Sequence, residues 1–383
     1  MRVLFLTASF GTGHTRAARA VQHALLDREP DATTLLVDPL AAARPMLSRV
    51  VSQAYLNVLK VTPWAFRYLY TGAENPRLAR VGRTEVGRLL FLAMSQQVEA
   101  LVRQMNPDAV VCTHPFPLSV AGSLRARGKL GQAVLGVIIT DFHAHPFYVT
   151  PGTDFYAVGA AGLLPDLLAA GATAEEAVVT GIPIDPGFGQ PVNRPQVLTR
   201  LGLSEDLLTV LVMGGGLGLG PVMDAVEAVE LVGSGVQVIA VAGRNRRLRR
   251  ELQRHRPPAG FPLVTLGYTR RVPELMGAAD LLVSKPGGLT SAEALASHLP
   301  MCCVAPLPGQ EERNLDFLRR EGVLVSAAEA RDLTLEIKRL RDQRSRLEAM
   351  RRAAAGLARP DAAHAVADLI LSRVAGRRRI RPA

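Results

Sequence analysis

The sequence predicts an α/β protein made of two Rossmann-like halves. Short apolar runs alternate with helix-length segments along the chain, starting with Arg2–Ala8 and a helix from Thr15 to about Arg28. The alternation restarts at Leu208–Met213 after a proline-rich stretch, Asp185 to Gln196, that reads as an interdomain linker. Each half opens with a strand and a glycine-rich turn: Gly11 and Gly13 in the first, Gly214, Gly215 and Gly216 in the second. A chain of 383 residues has room for about two domains of ordinary size. They are expected over 1–186 and 197–358, with a helix and basic tail over 359–383.

Hydrophobic residues make up 48% of the chain, enough for a core in each half. No apolar run approaches the length of about 18 residues needed to span a bilayer. The first apolar run, about seven residues, is too short for a signal-peptide core and reads as a buried strand. Cys112, Cys302 and Cys303 sit in apolar strands without metal-ligand spacing, which fits a reducing, cytoplasmic compartment. A net charge of +11 points to an anionic partner: membrane lipid, nucleic acid or a phosphorylated substrate.

In the first half, Arg2–Ala8 leads through Ser9–His14 into the first helix, so His14 falls at a helix N-terminus beside a strand end. Ligands of open α/β sheets gather at that edge, and a helix N-terminus disfavours imidazolium, leaving a neutral base. Thr33–Asp38 is the second strand. Residues 44–88 differ in kind. Met46, Leu47, Val50, Val51, Ala54 and Val58 recur at helical spacing, with Tyr55, Trp64, Phe66, Tyr68 and Tyr70 following among eight basic residues that include Arg67. This composition suits either a membrane-surface segment or a core-packing helix pair with a solvated basic face. It also suits single-stranded nucleic acid, but no nucleic-acid module accompanies it. Ala109–Thr113 and Val134–Thr140 are strands, the second ending at Asp141-Phe142-His143-Ala144-His145. Asp141 therefore points to the same edge. His143 and His145 line a pocket more readily than they bind a metal. Gly11-x-Gly13 lacks the third glycine and the later acidic residue of a dinucleotide fingerprint, which argues against a dehydrogenase.

In the second half, Leu208–Met213, Val236–Val241 and Leu263–Leu266 are strands, and Gly243 to Arg256 is an arginine-dense helix with a solvated face. Asp280–Asn314 carries the most chemistry. It reads as strand, Pro286-Gly287-Gly288 turn, helix, strand Met301–Val304, and a second polar turn entering a helix. Glycines allow a ligand close to the backbone, and a helix N-terminus favours an anion. Glu293, one turn into the helix, suits a sugar diol, although on spacing alone it could equally be an ordinary exposed helix residue. Gln310, Glu311 and Asn314 add hydroxyl-sized partners. The set suggests a nucleotide-sugar site.

The segments SFGTGH, ITDFHAH, TGIPI, MGGG, VAGRN, LGYTRRVPEL, SKPGGLTSAEA and PGQEERN occur in the order seen in diacylglycerol glycosyltransferases. The chain resembles that family from Arg2 to about Phe317, and its N-terminal turn is similar to the bacterial glucosyltransferase branch. The resemblance implies the GT-B fold, two Rossmann-like domains facing across a cleft, with the C-terminal helix packing back on the N-terminal domain. It implies an inverting transfer of a hexose from a UDP-sugar to diacylglycerol, with no cofactor and no metal required. By resemblance, Glu293 holds the ribose diol. Gly287, Gly288, Leu289 and Thr290 contact phosphate, and Gly214, Gly215 and Gly216 line the cleft nearby. Gln310 and Glu311 hold sugar hydroxyls, Asn314 supports their loop, and Tyr268, Thr269, Arg270 and Val272 flank the uracil. His14 and Asp141 match the family's active-site pair, and either could be the base. Gly13, His145, Tyr148, Trp64, Phe66, Arg67 and Tyr68 fall to the acceptor and membrane side. The resemblance also turns the 44–88 segment towards a membrane role, with an anionic surface, no nucleic acid, and a peripheral location at the cytoplasmic face of the cell membrane. The chain departs from the family at Tyr148, Asp185 and Leu217, where Trp, Arg and, in plastid members, an acidic residue are usual. The alternatives are a MurG-like transferase using another lipid acceptor such as a polyprenyl diphosphate, a nucleotide-sugar epimerase of the same fold, and a non-catalytic UDP-sugar sensor.

Overall fold

In the computed structural model of the chain, the described residues are 1–8, 12–44, 46, 85–304, 306 and 309–379. They divide into two compact units, Met1–Asp185 with Asp361–Ala383, and Pro186–Pro360.

The first unit is built on six parallel strands: β1 (Arg2–Leu6), β2 (Thr33–Val37), β3 (Ala109–Cys112), β4 (Val134–Ile138), β5 (Phe155–Val158) and β6 (Ala177–Val179), in the order β2-β1-β3-β4-β5-β6. Leu6 lies opposite Cys112, and Cys112 opposite Val137, so β1, β3 and β4 end level with one another. The order reverses between β1 and β3. Connections there leave on opposite faces and open a crevice at the carboxyl ends, where open α/β sheets bind ligands. Val3, Phe5, Val111 and Ile138 of the sheet pack with Val21 and Leu25 of the helix Gly13–Arg28. Val366, Ile370 and Val374 of the C-terminal helix complete that core.

This last helix runs from Ala362 to Arg379, through most of the stretch expected to be a free basic tail. The arginines are what extend it. Arg377 donates to the carbonyls of Gln132 at 3.1 Å and Ala133 at 2.6 Å and pairs with Asp154, while Arg378 reaches Asp108 at 2.8 Å. Cations in a last turn also complement the helix dipole. Arg381 lies outside the described residues.

The second unit carries β7 (Leu208–Met213), β8 (Val236–Val241), β9 (Leu263–Leu266), β10 (Leu281–Ser284), β11 (Met301–Val304) and β12 (Leu324–Ala327), all parallel, in the order β12-β11-β10-β7-β8-β9. The central strands are buried on both faces and therefore read as predominantly apolar runs, interrupted by the buried Thr209 and Gln237. The order reverses between β7 and β10, so the crevice of this unit lies beyond Met213 and Ser284. At the opposite end of β10, the Asp280 carboxylate accepts the Thr209 N–H at 2.9 Å and pairs with Arg194 at 2.8 Å and Arg351 at 3.3 Å. That cluster is a structural staple, remote from the ligand edge.

Part of the expected linker is helical. Arg194–Leu201 forms a helix because the Asn193 side chain accepts the Gln196 N–H at 3.1 Å and Pro195 falls in the first turn, where its missing N–H costs nothing. The arginine-dense stretch behaves as expected: Arg246–Arg254 is a helix that buries Leu248 and Leu252 and leaves most of its arginines in solvent.

Candidate functional site

In the first unit, three threonines stitch the strand ends together. Thr113 Oγ1, just beyond β3, donates to Thr7 Oγ1 just beyond β1 at 3.1 Å, and Thr7 lies 3.4 Å from Thr15 on the following helix. His14 is the second residue of that helix, and Gly13 the first. Its Nδ1 is 2.9 Å from Thr140 Oγ1, at the end of β4. Thr140 immediately precedes Asp141, which is buried at 5% exposure. No sequence signal singled out Thr140.

Desolvation lowers the pKa of His14 from 6.5 to about 4, opposed by a hydrogen bond to the Thr113 backbone. The His114 ring stands edge-on to it, centroids 4.8 Å apart, and is likewise held well below the usual histidine range by burial and by its imidazole neighbour. The pair is therefore neutral at physiological pH, the state a general base needs. His114 was not among the expected site residues.

The segment after Asp141 is folded around its histidines. His143 Nδ1 lies 3.3 Å from Asp166, and His145 is buried and caps the short 3-10 turn Pro146–Tyr148. Tyr148, expected on the acceptor side, is buried within this turn, and Phe147 is the ring at its surface. Trp64, Phe66, Arg67 and Tyr68 lie outside the described residues.

In the second unit, β10 delivers Lys285 and Pro286 to the crevice and Gly287 precedes the helix Gly288–Ala296. Among the described residues no side chain caps this helix, and a Cβ at Gly287 would meet only Glu311 Oε1, at 3.9 Å. The amides of Gly288, Leu289 and Thr290 thus form a helix N-terminus of the kind that receives phosphate. Glu293 is 1% exposed, which removes the reading of an ordinary surface residue. The helix Gln310–Arg320 brings Gln310 and Glu311 to the same place. Two contacts fix it there: Lys285 Nζ to Glu311 Oε1 at 2.8 Å, and Asn314 Nδ2 donating to the Pro286 carbonyl at 3.1 Å. Asn314 is fully buried, as a support residue should be. Lys285 was not anticipated, although it stands in the quoted SKPGG segment.

The glycines beyond β7 do two jobs. A Cβ on Gly214 would lie 2.3 Å from the Leu219 carbonyl oxygen, and one on Gly218 (φ 61°) 2.1 Å from that of Ala242, so these two permit backbone to pack on backbone. Gly215 has φ 67° with open space around its Cβ position. Asn245 Nδ2 donates to the Gly218 carbonyl at 3.0 Å and closes the knot. At the ends of β8 and β9, the Arg244 guanidinium lies 4.8 Å over the exposed Tyr268 ring. Thr269 Oγ1 accepts the Arg271 N–H at 3.1 Å. Val272, expected in the loop with Tyr268, Thr269 and Arg270, is the first residue of the helix Val272–Ala278. Among the described residues no group of three or more His, Cys, Asp or Glu side chains is placed to hold a metal ion.

Residues 14–184 match the monogalactosyldiacylglycerol (MGDG) synthase family, and residues 209–366 match the glycosyltransferase family 28 C-terminal domain. The first match falls in the first unit and the second, up to Pro360, in the second unit. The chain is 28% identical over 353 residues to the processive diacylglycerol beta-glucosyltransferase of Bacillus pumilus (strain SAFR-032), covering 91% of this chain and 89% of that protein. The fold of the chain is that of Acinetobacter baumannii MurG, with a TM-score of 0.64 at 16% identity over 97% of this chain and 99% of MurG. It is shared equally by the UDP-GlcNAc 2-epimerase of Neisseria meningitidis, with a TM-score of 0.60 at 13% identity over 97% of this chain and all (100%) of that one. Fold alone therefore does not separate transferase from epimerase; the family match does.

Proposed function

We propose that the protein is an inverting glycosyltransferase that moves a hexose from a UDP-sugar to diacylglycerol at a membrane surface, making a glycolipid. The observation that carries this reading is the paired family match, an MGDG synthase segment on the first unit and a family 28 C-terminal segment on the second. The chemistry agrees with it. The second unit offers the donor a phosphate-receiving helix N-terminus (Gly288 to Thr290), a buried carboxylate for the ribose diol (Glu293) and a pinned polar loop for the hexose (Gln310, Glu311). The loop at Tyr268 flanks the base.

The first unit supplies the acceptor side. His14, or Asp141 next to its partner Thr140, takes the proton from the acceptor hydroxyl as the hydroxyl oxygen attacks the anomeric carbon. The carbon–oxygen bond to UDP breaks on the opposite face, inverting the configuration. The negative charge that develops on the diphosphate is met by backbone amides, which need no reorganisation at the moment of reaction. The reaction as proposed requires no metal. The charge of +11 supports attraction to an anionic lipid surface at the cytoplasmic face, and no described helix is long and apolar enough to cross a membrane.

The test measures UDP release from UDP-glucose and UDP-galactose in detergent micelles, with and without diacylglycerol. The proposal expects release that depends on diacylglycerol. Isomerisation of the UDP-sugar without lipid would identify an epimerase, and release driven only by a polyprenyl diphosphate would identify a MurG-like acceptor.

A further inference from the structure

The first unit contains the same tripeptide twice, each time in the connection that follows a strand of the sheet. His114-Pro115-Phe116 follows β3, and His145-Pro146-Phe147 follows the neighbouring β4. In both, the histidine is an N-cap whose Nδ1 accepts the N–H of the phenylalanine two residues on, at 3.2 Å each time. In both, proline occupies the first position of the turn that follows. An Nδ1 that accepts leaves the ring proton on Nε2, so both imidazoles are fixed in one tautomer. Each phenyl ring leans on its own imidazole, with centroids 5.1 Å apart at 41° for His114 and Phe116 and 4.5 Å at 47° for His145 and Phe147. The helix opened by the first motif packs against the turn opened by the second. The result is two large apolar rings, 53% and 48% exposed, on two packed elements beyond the carboxyl ends of neighbouring strands.

The rings are continuous with the proposed acceptor site. From His14 one ring-to-ring step of 4.8 Å reaches His114, and a second of 5.1 Å reaches Phe116. On the other side His145 links Phe147 to His143, with centroids 6.4 Å apart. We propose that Phe116 and Phe147 form the contact for the acyl chains of the diacylglycerol acceptor, with each His-Pro-Phe turn holding one ring in place. This rests on the acceptor assignment made above.

The leg of the path from His14 to Phe116 carries no imidazolium, because burial keeps His14 and His114 neutral. An uncharged glycerolipid suits such a path, whereas the diphosphate of a polyprenyl acceptor would call for cations.

The test compares kcat/KM for dioleoylglycerol and dihexanoylglycerol in mixed micelles, using the full chain, F116A/F147A and F116L/F147L. Burying the exposed halves of two phenyl rings against methylenes gives an expected drop of about tenfold in the preference of the alanine pair for the long-chain acceptor. The leucine pair should restore that preference to within about twofold, and UDP affinity should not change. An unchanged preference would overturn the proposal. So would an equal loss with both acceptors, which would reduce the rings to a structural role. Alanine variants that lose binding to vesicles lacking diacylglycerol while keeping their chain-length preference would make the rings a bilayer anchor instead, also against the proposal. A wild-type protein inactive on both acceptors would remove the acceptor assignment itself, and this inference with it.

Discussion

An imidazole whose pKa has fallen to about 4 is unprotonated throughout the physiological range, so the acid limb of its activity profile should sit far below that of an ordinary histidine. The sign follows from the direction of the shift. The neutral form is the active one, and it persists until pH falls through the lowered pKa. The expected kcat/KM profile is therefore flat from pH 8 down to about 5, with its acid limb near 4; a limb near 6.5 with the fold intact by circular dichroism would mean that His14 is not desolvated or is not the base. Replacing His14 with alanine should lower kcat by about 10²–10⁴ while leaving UDP binding in place, the usual range for loss of a general base. Thr140→Val removes the hydroxyl 2.9 Å from Nδ1 and should cost about tenfold in kcat, since a misaimed base is impaired rather than lost. This scale was only partly legible in the sequence. His14 stood out because a strand end and a helix start are local features. Thr140 and His114 did not, because what makes them partners is the level ending of β1, β3 and β4, strands far apart in the chain.

At the scale of elements, the donor loop depends on two contacts from residues 285 and 286 to residues 311 and 314. Lys285→Met removes the ammonium 2.8 Å from Glu311 Oε1, and KM for the UDP-hexose should rise about tenfold, in line with about 1.5–3 kcal/mol for a hydrogen bond to a charged group. The glycine turn after β7 allows a sharper comparison. Gly218→Ala forces a Cβ to within 2.1 Å of the Ala242 carbonyl oxygen and should lower stability by about 2–4 kcal/mol. Gly215→Ala meets only the left-handed backbone penalty of about 1–2 kcal/mol. Thermal unfolding should rank them in that order; equal losses would mean the knot yields freely. The central strands β7, β8 and β10 were legible because both faces of the sheet are buried there and the runs are predominantly apolar. Which glycines admit a ligand and which admit only neighbouring backbone was not legible, since it depends on the approach of Ala242 from the next strand.

At the scale of the whole molecule, the chain crosses from the first unit to the second and returns for its last helix. Ala363, Val366, Ala367, Ile370 and Val374 are all buried in the first unit's core. Each Val or Ile contributes about 1.5–3 kcal/mol when fully buried, so together they approach the 5–15 kcal/mol that holds a domain folded. Truncation after Pro360 should abolish protection from hydrogen exchange in β1, β3 and β4; protection at the full-length level would show the helix to be dispensable. The amphipathic pattern of this helix was legible in the sequence. Its extension to Arg379 was not, because the partners of Arg377 and Arg378 are Asp154 and Asp108, more than 200 residues earlier.

The central claim is hexose transfer from a UDP-sugar to diacylglycerol, and its most direct test is the mass of the lipid product. The purified protein would be incubated with anionic liposomes containing diacylglycerol and either UDP-glucose or UDP-galactose. The account predicts a hexosyl-diacylglycerol from one donor, formed together with free UDP and lost in the His14→Ala variant. Bound UDP-sugar with no glycosylated diacylglycerol from either donor would contradict it.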